Sequence, residues 1–135
     1  MRKFTHTTRL ALCAASLFLF SGIAAAGEKK LMHCFAFTPI ETASDADWKA
    51  FYNATDQLPR KISGISHVWY GKLRGPLTVY NGQQVKSVRQ YGVCMEMKDA
   101  ATLKTYASDP FHKEWMDVYS KVRVEGTTTF DILGQ

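Results

Sequence analysis

The chain has 135 residues, of which 46% are hydrophobic and 21% charged, a composition typical of one soluble globular domain. It contains no heptad run, low-complexity tract or repeat of solenoid length, which excludes coiled-coil, fibrous and repeat proteins. The formal net charge is +5, but three of the 17 basic residues lie in the first nine positions. The rest of the chain has 14 basic and 12 acidic residues. This balance is too even to predict binding to nucleic acid or to a membrane surface.

Residues 1–26 are typical of a secretory signal peptide. A basic start that ends at Arg9 is followed by an apolar run over Leu10–Phe20 and by small residues up to Ala26. The whole apolar stretch is 17 residues long, which is short for a bilayer span of about 20 apolar residues. We therefore expect cleavage after Ala26, a mature domain over residues 27–135, no membrane attachment after cleavage, and a secreted or periplasmic location.

The mature chain begins with alternating strand and helix patterns. Residues 31–38 are apolar and aromatic, which predicts a first strand. Ser44, followed by acidic residues, predicts the start of a helix whose aromatic face ends at Pro59. The β-branched and aromatic run after Gly64 predicts a second strand, and Asn81-Gly82 predicts the turn of a protruding hairpin.

The second half of the chain completes a known order of elements. Residues 87–97 predict a strand, Asp99 the start of a short helix, and Asp109-Pro110 the start of another helix. Residues 127–133 predict a last strand. The order is that of the split βαβ repeat, so we expect an α+β, ferredoxin-like fold with helices on one face of the sheet. The open apolar face needs a cover, and we expect a second copy of the chain to provide it in a homodimer.

Several segments, in their order and spacing, resemble the stress-responsive dimeric A/B barrel (Dabb) family. These segments are residues 31–35, 58–65, 106–112, 117–119 and 129–132. The resemblance implies a ferredoxin-like monomer whose sheet joins that of a second monomer to close a dimeric α/β barrel. The segment after residue 105 is most similar to a plant polyketide cyclase of this family, which performs an aldol condensation without a cofactor. That similarity implies Tyr106 and His112 as a catalytic pair and His33 as a third residue of the site.

The residue types of this pair suit acid–base chemistry. His112 follows the Asp109 cap within the first turn of a predicted helix, where the helix dipole disfavours the imidazolium form and leaves a neutral ring that can act as a base. Tyr106 could donate a hydrogen bond to an oxygen that becomes negative during enolisation. Alternatively, both side chains pack at a helix junction and bond the backbone. The sequence leaves open whether the protein is an enzyme.

Strand alternation predicts an aromatic pocket between the sheet and the helices. His33 and the alternate residues that follow it share one side of the first strand, and we place that side under the helices. The expected lining is His33, Phe35, Phe37, Trp48, Phe51, Tyr52, Tyr91 and Val93, together with Tyr106 and His112. Aromatic walls with a few polar groups are typical of a small-molecule site. A filled core is the alternative.

The two cysteines of the mature chain fall on the other side of the sheet. Cys34 and Cys94 lie on strands that are adjacent and antiparallel in the ferredoxin-like order. They could therefore form a cross-strand disulfide, which requires Cα atoms within about 7 Å of each other. The alternative is two small buried hydrophobic side chains.

The histidines of the mature chain are scattered, without the spacing of metal ligands, so we expect no metal and no cofactor. The function that the sequence favours is an exported Dabb-type homodimer that binds a small apolar or aromatic molecule in the pocket. One alternative is a cofactor-free enzyme, a cyclase of the aldol type or an isomerase, with His112 as base and Tyr106 as donor. The other alternative is a structural or interaction module.

Overall fold

The computed structural model describes residues 29–134, and the signal peptide predicted over residues 1–26 lies outside the described residues. Within residues 29–134 the elements are β1 (Leu31–Pro39), α1 (Asp45–Lys61), β2 (Ile65–Asn81), β3 (Gln84–Met97), α2 (Ala100–Ser108), α3 (Pro110–Tyr119) and β4 (Arg123–Leu133). This order confirms the predicted α+β class. None of these three helices is long and apolar enough to span a membrane.

The four strands form one antiparallel sheet in the order β2-β3-β1-β4. β1 lies inside the sheet, where it pairs with β3 on one side and β4 on the other. In this register Cys34 stands opposite Cys94 on β3 and opposite Phe130 on β4. The strand order is that of the split βαβ repeat, which confirms the predicted ferredoxin-like topology.

Each helix begins at the cap that the sequence predicts. The hydroxyl of Ser44 accepts a hydrogen bond from the Asp47 amide at 3.1 Å, and the Asp47 carboxylate accepts one from the Ser44 amide at 3.2 Å. The Ser44 hydroxyl also donates to the Asp47 carboxylate at 2.6 Å, and this bond, together with the one from the Ser44 amide, lowers the pKa of Asp47. Asp99 accepts from the Thr102 amide at the start of α2, and Asp109 accepts from the Phe111 amide at the start of α3. Capping satisfies amide groups that have no partner inside the helix.

The predicted end of α1 at Pro59 is wrong, because the helix continues to Lys61. Proline removes one helical hydrogen bond, but the last turn is retained by the bond from the Ile62 amide to the Leu58 carbonyl at 3.0 Å. Leu58 and Ile62 are both buried. Packing of the last turn against the core therefore outweighs the bond that Pro59 cannot make.

The hairpin lies where the sequence predicts it, but its turn is shifted by one residue. Asn81 and Gln84 are paired strand residues, so Gly82 and Gln83 are the central residues of the turn. Gly82 has a φ of 61°, a left-handed conformation that glycine adopts without steric cost. Both strands of the hairpin are long, and exposed Leu77, Tyr80 and Val85 lie along it.

The helices cover one face of the sheet and enclose the core there. The residues with no exposed surface include Phe37 on β1, Phe51 on α1 and Met95 on β3. The indole of Trp115 donates to the Thr55 hydroxyl at 2.9 Å, and this hydroxyl donates to the Phe51 carbonyl at 2.7 Å. The buried polar atoms of this contact are thus bonded, as a stable core requires.

The other face of the sheet is open and apolar. Its central residues form a shallow depression and are Met32, Cys34, Trp69, Cys94, Phe130 and Ile132. Trp69 is 50% exposed and Ile132 is 56% exposed. Cys34 and Cys94 form a disulfide across β1 and β3, with Cα atoms 4.1 Å apart. We call these six residues the open-face patch.

Candidate functional site

A cavity of about 310 Å³ lies between the sheet and the helices α2 and α3. Aromatic and aliphatic side chains form most of its wall, and a few polar groups face into it. The lining residues are His33, Phe35, Leu103, Tyr106, Ala107, His112, Trp115, Met116, Tyr119, Arg123, Thr127 and Thr129. Cavities of this size and character are typical of small-molecule sites.

His33 is held at one end of the cavity by Asp131. The two residues stand opposite each other on β1 and β4, and Nδ1 of His33 lies 2.6 Å from Oδ1 of Asp131. The His33 side chain is 12% exposed, whereas that of Asp131 is 40% exposed. A carboxylate at Nδ1 favours a proton on that nitrogen and leaves Nε2 as an acceptor when the ring is neutral.

Tyr106 and His112 are brought together by the junction of two helices. α2 ends at Ser108 and α3 begins at Pro110, with Asp109 alone between them. The rings of Tyr106 and His112 consequently approach to 4.2 Å between centroids. The Tyr106 ring centroid also lies 5.8 Å from that of His33, so the Tyr106 ring lies next to both histidine rings.

The surroundings of this cluster set its protonation. Burial lowers the pKa of His112, and the neighbouring His33 lowers it further, whereas a hydrogen bond with the Ala107 backbone and the charge of Asp109 raise it in part. Burial raises the pKa of Tyr106. At neutral pH His112 is therefore an uncharged base, and Tyr106 retains the proton that it can donate.

The cavity continues along β4 past Thr129 to a second polar end. There the Tyr119 hydroxyl lies 3.1 Å from that of Thr127. The guanidinium of Arg123 lies over the Tyr119 ring, at 4.7 Å from its centroid. Burial raises the pKa of Tyr119 to about 12, so its hydroxyl is protonated at physiological pH.

The structure brings together four of the predicted pocket and catalytic residues. His33, Phe35, Tyr106 and His112 all line the cavity. Within residues 29–134, no group of three His, Cys, Asp or Glu side chains is placed to hold a metal ion. The imidazole and phenol groups that line the cavity can form hydrogen bonds and transfer protons, beside aromatic walls.

The prediction of one common pocket is wrong in its extent. Phe37, Phe51 and Val93 are fully buried in the core, because α1 packs directly on the sheet and leaves no space there. Three further predicted residues, Trp48, Tyr52 and Tyr91, instead line a separate surface groove along α1 with Asp45, Lys49 and Asn53. The Trp48 and Tyr91 rings contact each other at 4.9 Å between centroids.

Sequence reasoning missed Asp131 and Arg123. Both lie on β4, the strand whose start the sequence placed at residue 127 and the structure places at Arg123. The pattern that could have found Asp131 is the register of β4 against β1, because residues 33 and 131 occupy the same side of paired strands. Trp115 and Tyr119 also line the cavity, and the sequence did not identify them as cavity residues.

No known family model matches this sequence, and no curated protein sequence matches it significantly. Solved structures do match. A Dabb family protein with a ferredoxin-like fold from Mesorhizobium loti has a TM-score of 0.60 and 19% identity, and the match covers 80% of this chain and 99% of that protein. A hydroxynitrile lyase from Passiflora edulis has a TM-score of 0.62 and 9% identity, with coverage of 79% and 94%.

A dimeric protein of unknown function from Bacteroides fragilis, also with a ferredoxin-like fold, matches with a TM-score of 0.57 and 18% identity. The match covers 77% of this chain and 95% of that protein. At these identities the likeness concerns the fold. The resemblance predicted from the sequence is therefore confirmed at the level of the fold: this chain has the ferredoxin-like fold that is also found in a Dabb family protein.

Proposed function

We propose that this chain is an exported, homodimeric protein of the Dabb type that binds a small apolar or aromatic molecule in the cavity between His33 and Arg123. The observation that carries the proposal is the cavity itself. Its volume of about 310 Å³ lies at the lower end of the range of ligand sites, about 300–1,000 Å³. Aromatic walls supply apolar contact area, and Tyr106 and His112 supply polar groups that orient a ligand.

The homodimer is supported by the open-face patch and by the similar structures. Large apolar side chains such as Trp69 and Ile132 are half exposed on this face, and apolar patches of this kind usually mark interaction sites. The Bacteroides fragilis protein with this fold is described as dimeric. In our proposal two copies cover each other's patches.

Export is supported by the signal-peptide pattern of residues 1–26 and by the disulfide. The bond between Cys34 and Cys94 is of the kind that persists in secreted and periplasmic proteins and is rare in a reducing cytosol. A secreted or periplasmic location therefore agrees with both features.

Filling the cavity tests the ligand proposal. Leu103→Trp adds a large ring to the cavity wall, and we expect it to weaken binding of the neutral fluorescent probe N-phenyl-1-naphthylamine at least tenfold in the mature protein. Asn53→Trp is the matched control, because it adds the same ring to the separate groove along α1. Equal binding by the wild type and Leu103→Trp, or loss only in Asn53→Trp, would contradict the proposal.

A cofactor-free enzyme is the second candidate, favoured by the contact between Tyr106 and His112 at 4.2 Å. His112 would remove a proton from the carbon beside a carbonyl group, and the bonding electrons would move to the carbonyl oxygen, which Tyr106 stabilises by donating a hydrogen bond. The enolate carbon would then add to a second carbonyl group, whose oxygen takes the proton from His112. If a double bond is conjugated with the enolate, the proton instead returns from His112 to the far carbon of that double bond, which shifts the double bond. The hydroxynitrile lyase with the same fold agrees with a catalytic use of this architecture.

Exchange of the methyl protons of acetophenone for deuterium in D₂O tests the proton-transfer step. If the pair is catalytic, the wild type accelerates this exchange, and both His112→Gln and Tyr106→Phe reduce the acceleration by about 10²-fold or more. Probe binding should stay within a factor of three. The same exchange rate in all three proteins would remove the enzyme candidate and leave the binding proposal in place.

A further inference from the structure

Arg123 is the first residue of β4. Among the described residues that line the cavity, it alone carries a permanent charge. Its guanidinium stacks over Tyr119, a contact that attracts a cation to the negative face of the ring and limits the positions it can take. The cationic group is therefore held in place at the cavity wall before any ligand arrives.

Among residues 29–134 this guanidinium has no anionic partner. None of the ion pairs among residues 29–134 involves Arg123, and its Nε is buried without a hydrogen-bond partner. Buried donors are nearly always bonded. Because Arg123 lines the cavity, an acceptor held there would supply a partner that the described residues do not.

The two ends of the cavity differ in charge. At one end Asp131 bonds the Nδ1 of His33, and beside it lie the uncharged rings of Tyr106 and His112. At the other end lies the free charge of Arg123. Aromatic and threonine side chains separate the ends, and the described residues that line the cavity include no Asp or Glu.

We propose that the ligand of this cavity is a small aromatic or apolar carboxylate whose anionic group binds Arg123 and whose opposite end lies against Tyr106 and His112. This inference rests on the proposed function and adds the class of ligand. A single planar guanidinium matches a carboxylate through two parallel hydrogen bonds. A doubly charged phosphate would need more cations than this cavity offers.

Arg89 provides a matched control within the same protein. It is a buried arginine outside the ion pairs of residues 29–134, and its side chain bonds the hydroxyls of Thr38 and Thr128. It lines a different groove and does not line the cavity, although its charge, like that of Arg123, acts on Tyr119. Arg89→Gln therefore removes a nearby positive charge but leaves the guanidinium on the cavity wall in place.

The test uses 2-naphthoate and its neutral amide, 2-naphthamide, which differ in charge and little in shape. Binding to the mature protein is measured by calorimetry at low and moderate salt. We expect the wild type to bind the carboxylate at least tenfold more tightly than the amide. Arg123→Gln should abolish this preference with no change in amide affinity, Arg123→Lys should retain part of it, and Arg89→Gln should leave it intact.

Each of the following results would overturn the inference. Equal affinity of the wild type for the carboxylate and the amide shows that the cavity does not select an anion, although the binding proposal then survives. A preference that persists in Arg123→Gln places the anion elsewhere. If neither compound binds and N-phenyl-1-naphthylamine does not bind either, the proposed function fails and the inference fails with it. The wild-type comparison decides the matter even if Arg123→Gln does not fold.

Discussion

The two faces of the sheet are built from the same strands and differ in almost every property. Along β1, His33 and Phe35 face the helices, whereas Met32 and Cys34 face away from them. The helix-covered face carries a cavity with imidazole, phenol and guanidinium groups at defined places. The open face carries apolar side chains and a disulfide, and none of the described residues that line its central depression is charged.

The two faces are therefore suited to different kinds of contact. In our proposal, polar groups such as His33 and Tyr106 orient a small molecule, because hydrogen bonds require particular partners at particular distances. The open-face patch offers contact area and few directional bonds, which suits a complementary surface of equal extent. Alternation along one strand thus places the residues of the proposed ligand site and those of the proposed dimer interface on opposite faces.

The largest effect is expected on the open face. Ile132→Glu places a charge in the middle of the patch, and an uncompensated buried charge costs roughly 3 kcal/mol or more. In a symmetric homodimer each copy contributes one such charge. We therefore expect Ile132→Glu to be monomeric at micromolar concentration, as measured by analytical ultracentrifugation, where the wild type is dimeric.

The control for this change is Ala101→Glu, which adds the same charge at an exposed position of α2. It should sediment like the wild type. A wild type that is monomeric at these concentrations, or an Ile132→Glu variant that stays dimeric, would show that the open-face patch is not the dimer interface. Ligand binding in the cavity should survive in the monomer if each cavity is complete within one chain.

A smaller effect is expected from removing the disulfide, whose cysteines are 60 residues apart in sequence. Closing a loop of this length restricts the unfolded chain and stabilises the fold by at most about 4 kcal/mol. The double variant Cys34→Ala, Cys94→Ala should unfold at lower denaturant concentration and still bind the cavity probe, because the bond lies on the opposite face. Two free thiols per denatured, non-reduced mature chain would contradict the bond itself.

Features that depend on neighbouring residues could be predicted from the sequence. The caps Ser44, Asp99 and Asp109 are local, since each side chain bonds an amide two or three residues ahead. Strand alternation is local as well, and it correctly places Cys34 on the face opposite His33. The order of the elements then determined the topology, because few sheet arrangements accommodate it.

Features that depend on distant packing could not be predicted in this way. The helix continues past Pro59 because its last turn is buried, and burial depends on the whole core. The expected pocket was too wide because α1 packs directly on Phe37. Sequence periodicity shows which side of an element faces the core, but not how closely two elements approach. Asp131 and Arg123 were missed because their positions at the cavity depend on the register of β4 against β1. The sequence of β4 alone does not determine that register.

The smallest expected effect is on the pH dependence of the free energy of unfolding, to which His112 on the helix-covered face contributes and the disulfide on the open face does not. Burial lowers the pKa of His112 below its ordinary value of 6.5. As the pH falls below about 6.5, the unfolded chain therefore takes up a proton at this residue more readily than the folded chain does. The free energy of unfolding decreases as a result. His112→Gln removes this part of the decrease, so its stability to urea should fall less between pH 7 and pH 5 than that of the wild type. The cysteine double variant should retain the wild-type slope, because a disulfide has no proton to exchange. The same slope in His112→Gln and the wild type, together with a His112 pKa of 6.5 or more by NMR titration, would mean that the cavity side does not hold its histidine in the uncharged form.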